Sequence, residues 1–141
     1  MRFRTVVLSV VSVCLMGCGS APPYEGPTRY PLKGKVTYAG EPVDGGSIAF
    51  LPQEDGKHVR PAGGPIVNGE YSVTAEQGAP EGTYRVEIRW LRPTGKQRDD
   101  EDTGEKVDIV KEALPAKFND QSELTAAVGP DATEFDFELK P

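Results

Sequence analysis

The side chains that could do chemistry in this 141-residue chain are few. Its single histidine, His58, follows Gly56 and Lys57 in a stretch between two apolar runs. A histidine base needs a nucleophile and an orienting acid around it, and no Gly-x-Ser-x-Gly elbow supplies the first. Both cysteines, Cys14 and Cys18, sit in an apolar stretch at the amino terminus. The remainder therefore holds no thiol nucleophile, no disulfide framework and no Cys-x-x-Cys metal site. His58 reads as an exposed structural residue, and no catalytic set is expected.

Two other groups invite a binding role. Asp99, Asp100, Glu101 and Asp102, with Glu105, could gather oxygen ligands for Ca²⁺, Asp100 and Asp102 being the candidates. Counting from Asp100, however, Gly104 falls at the fifth position and Lys111 at the twelfth, so the bidentate glutamate that closes an EF-hand shell is missing. The plainer reading is a solvated, mobile loop that partly neutralises Arg89, Arg92, Lys96 and Arg98. Trp90 could present a ring face to a pyranose, which makes it the candidate for glycan binding. It shares strand parity with Tyr84, Val86 and Ile88, and that favours a place in the core. No metal and no cofactor is expected.

The elements that must position these residues are strands. Glycine (16) and proline (13) are too frequent for a helical protein and suit short strands joined by many turns. From Leu32 onward apolar residues recur at every second position. Leu32, Val36 and Tyr38 form one inward set, and Ile48, Phe50 and Pro52 a second. Tyr71 and Val73, then Tyr84 to Trp90, then Leu124, Ala126 and Val128, and last Phe135, Phe137 and Leu139 repeat the pattern. Residues 40–46, 67–70 and 78–82 carry turn chemistry, and Asn68-Gly69 signals a hairpin whose first arm is residues 62–67. Residues 109–114 are the one candidate helical turn, which Pro115 would stop. The expected fold is all-β, an antiparallel β-sandwich of about seven strands in residues 32–141.

Charge narrows the partners. The formal charge is −6, and loss of Arg2 and Arg4 with a leader would make it more negative still. That argues against nucleic acid, which needs a basic face to release counterions. It also argues against a polybasic grip on anionic lipid. Residues 1–17 read as an export signal: Arg2 and Arg4, an apolar run from Val6 to Leu15, then Met16-Gly17. The run is too short to span a bilayer, which takes about 20 apolar residues.

Leu15-Met16-Gly17-Cys18 resembles the bacterial lipobox, with Met16 a departure at its least strict position. The resemblance implies acylation of Cys18, cleavage before it, and acylation of the new terminus, which would hold the protein to a membrane of the cell envelope. Gly19 in place of Asp favours the outer membrane over the inner. Residues 18–31 would be the lipidated cysteine and a flexible stalk reaching at most about 40 Å.

A second resemblance rests on Gly34-x-Val36-x-x-x-Gly40-x-Pro42-Val43-x-Gly45-x-x-Ile48-x-Phe50, with Val67-Asn-Gly-Glu-Tyr71, Gly78-Ala-Pro-Glu-Gly-Thr-Tyr84, Leu114-Pro-Ala-Lys-Phe-Asn119 and Phe135-Asp-Phe-Glu-Leu139. This series resembles the transthyretin-like, carboxypeptidase-regulatory-like lipoproteins of planctomycete bacteria. It implies a transthyretin (prealbumin)-like sandwich, and its residues serve turns and packing rather than a reaction. Transthyretin-related hydroxyisourate hydrolases need several histidines and intradiol dioxygenases paired Tyr and His ligands, so a lone His58 fits neither. The expected function is a non-catalytic envelope domain that contacts proteins or surface polymers. The alternative is a carbohydrate-binding module.

Overall fold

Strands form wherever the alternation runs unbroken, and the computed structural model, which describes residues 23, 25–53 and 60–141, is built from them. In chain order they are β1 (Arg29–Tyr30), β2 (Leu32–Tyr38), β3 (Glu41–Pro42), β4 (Gly46–Pro52), β5 (Ala62–Ile66), β6 (Glu70–Val73), β7 (Ala79–Pro80), β8 (Gly82–Arg89), β9 (Leu91–Asp99), β10 (Lys106–Glu112), β11 (Thr125–Val128) and β12 (Phe137–Leu139). Among the described residues the only helical piece is a 3-10 turn, Ala116–Phe118. None of the described residues form a helix long and apolar enough to cross a membrane.

One antiparallel sheet runs β11-β8-β4-β5. The other is organised on β2, which takes β6 and β3 along one edge and β12 along the opposite edge. The inward residues of both meet in one core. Ile48, Phe50, Tyr84, Val86, Ile88, Ala126 and Val128 come from the first sheet, and Leu32, Val36, Tyr71, Val73 and Leu139 from the second. Phe50 joins the layers directly: its ring centroid lies 5.9 Å from that of Tyr71 and 6.2 Å from that of Phe135. Burying each large apolar side chain contributes about 1.5–3 kcal/mol, so this shared interior is what holds the layers together.

Asn68 (φ 51) and Gly69 (φ 77) both adopt left-handed backbone, as a type I′ turn requires. The arms of this turn part company, since β5 pairs with β4 and β6 pairs with β2. A turn that reads as a simple hairpin thus carries the chain from one layer to the other, with only the Val67–Glu70 bridge joining its arms.

The structure departs from the sequence expectations in five places. Residues 109–114 are not a helical turn: residues 109–112 belong to β10, because Val107, Ile109 and Val110 are β-branched and find a strand partner in β9. The strand expected to end at Leu91 breaks at Trp90 and runs on to Asp99. The segment expected as a solvated loop is, over residues 99–105, a largely exposed turn that closes β9 on β10. The strands are not all antiparallel, since β12 runs parallel to β2. The stalk boundary at residue 31 is too late. Arg29 and Tyr30 already pair with Pro80 and Ala79, and the Arg29 guanidinium donates to the Glu76 carbonyl at 2.6 Å.

Candidate functional site

The feature that stands apart from the two layers is an arm. Ser47 of β4 pairs with Arg89 at the end of β8. Beyond that point the chain passes through Trp90 into β9, which among the described residues pairs with β10 and no other strand. All nine residues of β9 are exposed, so both faces of the ribbon are wet along that strand. At about 3.3 Å per residue it reaches about 30 Å. Leu91 (53% exposed), Ile109 (37%) and Val110 (48%) put apolar surface on it.

Its root is held by specific bonds. Glu112 Oε1 accepts from the backbone N–H of Trp90 at 2.9 Å and of Leu114 at 3.0 Å, while its buried Oε2 has no hydrogen-bond partner among the described residues. The indole Nε1–H of Trp90 donates to the Asp44 carbonyl at 2.7 Å. The Arg92 guanidinium lies 4.8 Å from the centre of the Trp90 ring. Beside the root, Arg89 pairs with Asp120 and with Glu87, and the hydrogen bond that its guanidinium donates to the Asp120 carboxylate holds it above its ordinary pKa. At mid-length, Thr94, Gly95 (φ 78) and Lys96 bulge out of β9, and the Thr94 hydroxyl donates to the Ile109 carbonyl at 2.8 Å.

At the tip, Asp100 Oδ1 accepts from the backbone N–H groups of Asp102 and Thr103, both at 3.0 Å, and from the Thr103 hydroxyl at 3.1 Å. These bonds, that from the Thr103 N–H foremost, hold the Asp100 carboxyl below its ordinary pKa. Gly104 closes the turn, its N–H reaching the Asp100 carbonyl at 2.8 Å and its φ at 70.

On the second sheet lies a groove of about 500 Å³ lined by Lys33, Lys35, Glu70, Tyr71 and Glu134 among others. Its charges are paired, Lys33 with Glu134 at 3.4 Å and Lys35 with Glu70 at 3.8 Å. The Tyr71 hydroxyl donates to the Phe135 carbonyl at 2.7 Å, and burial pushes its pKa up.

The residues singled out in the sequence fall as follows. Trp90 is 6% exposed and sits at the edge of the core, so it offers no open ring face for a sugar. Asp100 is committed to its own turn. Asp102 donates its N–H to Asp100, and no three acidic, histidine or cysteine side chains among the described residues converge as a metal site would require. Cys18 and His58 lie outside the described residues. Glu112 is the residue that sequence reasoning missed. Its one signal was an acid two positions before an apolar Leu114, and its backbone acceptor role comes from pairing that no local pattern announces.

No family model matches the sequence, and no curated protein matches it. Among solved structures, a 9R-lipoxygenase from Cyanothece PCC8801 aligns with 86% of this chain at 14% identity and a TM-score of 0.38. The aligned part spans 18% of the lipoxygenase chain, and a likeness that distant carries no argument about fold or activity. What the geometry defines is an all-β domain with a projecting two-stranded arm.

Proposed function

We propose that this chain is a lipid-anchored, non-catalytic cell-envelope domain of the transthyretin-like kind, which meets its partners through the arm. The carrying observation is that β9 is exposed along its whole length and that Leu91, Ile109 and Val110 put apolar surface at the solvent. A two-stranded ribbon is marginal by itself, and one built this long serves contact better than packing. The anchor rests on the lipobox resemblance at residues 15–18, and the transthyretin-like topology on the resemblance at residues 34–50. The carbohydrate-binding alternative draws on the sandwich and on Trp90, and the buried Trp90 ring, with the Arg92 guanidinium over it, lends it no support.

Two measurements on cells test the parts separately. Mass spectrometry of the amino-terminal peptide from membranes should find Cys18 at the terminus carrying acyl chains; an unmodified terminus elsewhere overturns the anchor. A photo-crosslinking side chain at position 101, on the tip, should capture envelope proteins or polymers in intact cells. A probe that yields no adduct above the free-probe background overturns the contact reading.

A further inference from the structure

The two long edges of the arm are built differently. β9 carries Pro93, which has no N–H to give, the bulge at residues 94–96, and the cations Arg92, Lys96 and Arg98. Those are the devices by which a strand edge refuses a stranger. β10 has no proline, glycine or bulge of its own, and its sequence Lys106-Val-Asp-Ile-Val-Lys-Glu112 is rich in β-branched residues. Its outer edge is unpaired among the described residues. We propose that β10 pairs, antiparallel and edge to edge, with β10 of a second copy of this chain, making one four-stranded sheet from two arms.

Backbone direction, charge and overlap of the whole seven-residue strand together select the register. The Glu105 carbonyl accepts from Asp100, the Ile109 carbonyl accepts from Thr94, and the Ala113 N–H donates to Trp90. Odd-numbered residues here therefore turn their backbone groups toward β9, and even-numbered residues turn theirs outward. A two-fold pair must then align even with even and odd with odd. Centring on Asp108 would set that carboxylate against its own copy, and centring on Val110 would set Asp108 against Glu112. Both place like charges directly opposite, which is unfavourable. Centring on Ile109 instead sets Lys106 against Glu112 of the second copy, Asp108 against Val110, and Ile109 against Ile109.

The same register brings charges of opposite sign together along the arms. Lys111 and Arg92 face each other within one ribbon, and neither forms an ion pair among the described residues. Pairing places Glu105 of the second copy diagonal to Lys111 on the same face, so that the acidic tip of each arm approaches the Arg92 and Lys111 pair of the other. A symmetric contact of this sort is the commonest way two identical chains associate. It needs only the arm, so its failure leaves the anchoring proposal untouched.

The test uses the full chain in detergent solution. In the centred register residue 109 forms a non-hydrogen-bonded pair with its copy, with Cα atoms about 4.5 Å apart, within disulfide reach. Ile109→Cys should give a covalent dimer on mild oxidation well above the parent's background, whereas Gln97→Cys, on the far strand, should not. In sedimentation velocity the parent should show a dimer that Val110→Pro abolishes, since this change removes an outward N–H while leaving the bonds to β9 in place. Circular dichroism of that variant should keep the parent's sheet signal. A parent that stays monomeric at the highest loading, a dimer that survives Val110→Pro, or Ile109→Cys dimerising no more than Gln97→Cys overturns the proposal.

Discussion

Replacing Gly34 by alanine should cost far more than adding a methyl group to a strand usually does. Gly34 sits in β2 on the inward parity, between Leu32 and Val36, with the Phe135 backbone crossing directly over it. A Cβ there would stand 1.9 Å from the Phe135 carbonyl oxygen and 2.7 Å from its carbon. The obstacle is backbone, fixed from two sides: Phe135 N–H donates to the Lys33 carbonyl at 3.0 Å, and the Phe135 carbonyl accepts from the Tyr71 hydroxyl at 2.7 Å. Overpacking of this kind costs about 1–3 kcal/mol, and losing the Tyr71 bond adds about 0.5–1.5 kcal/mol. Gly34 does not use left-handed backbone, so alanine regains about 0.4–1 kcal/mol from the stiffer unfolded chain. The net is about 2–3 kcal/mol, or a melting temperature lower by about 8–12 °C for a domain of this size. Thermal unfolding followed by circular dichroism measures it. Tyr71→Phe should cost only the hydrogen bond, and the double variant should cost less than the sum, since both act on one carbonyl. A Gly34→Ala chain melting within about 2 °C of the parent would refute the assignment of Phe135 as the obstacle.

Other outcomes follow from the arm and its root. Trp90→Ala should lower unfolding free energy by about 3–5 kcal/mol in urea titration, since it empties a buried site and frees the Asp44 carbonyl; a cost under about 1 kcal/mol would mean that the ring does not pack as described. Asp100 has a folded-state pKa below its ordinary 3.8, so ionised Asp100 supports the turn fully above that value and its support fades as pH falls through the depressed one. The Thr103 amide resonance should therefore move in acid titration in the parent and stay flat in Asp100→Asn; equal movement in both would sink the assignment.

How much of this was legible depended on whether a strand has one dry face. β2, β4, β6, β8 and β11 could be read from alternation, because each turns every second side chain into the core. Trp90 could be placed by the same parity. The arm could not: the residues of β9 are wet on both faces, so no periodicity separates Arg92, Pro93 and Thr94 from a loop. The pairing of β12 beside β2 joins residues about a hundred positions apart in sequence, and only the layer geometry decides its direction. Gly34 appeared in the sequence as a gap in an inward row. The carbonyl that fills the gap belongs to Phe135, which no local window contains.

Because β8 continues past Trp90 into β9, a tug on the tip is passed to a strand that pairs with both β4 and β11. The half of β8 nearest the arm is laddered to β4, and the far half to β11. Tension applied at the far end would therefore meet the bonds to β4 first and those to β11 after them.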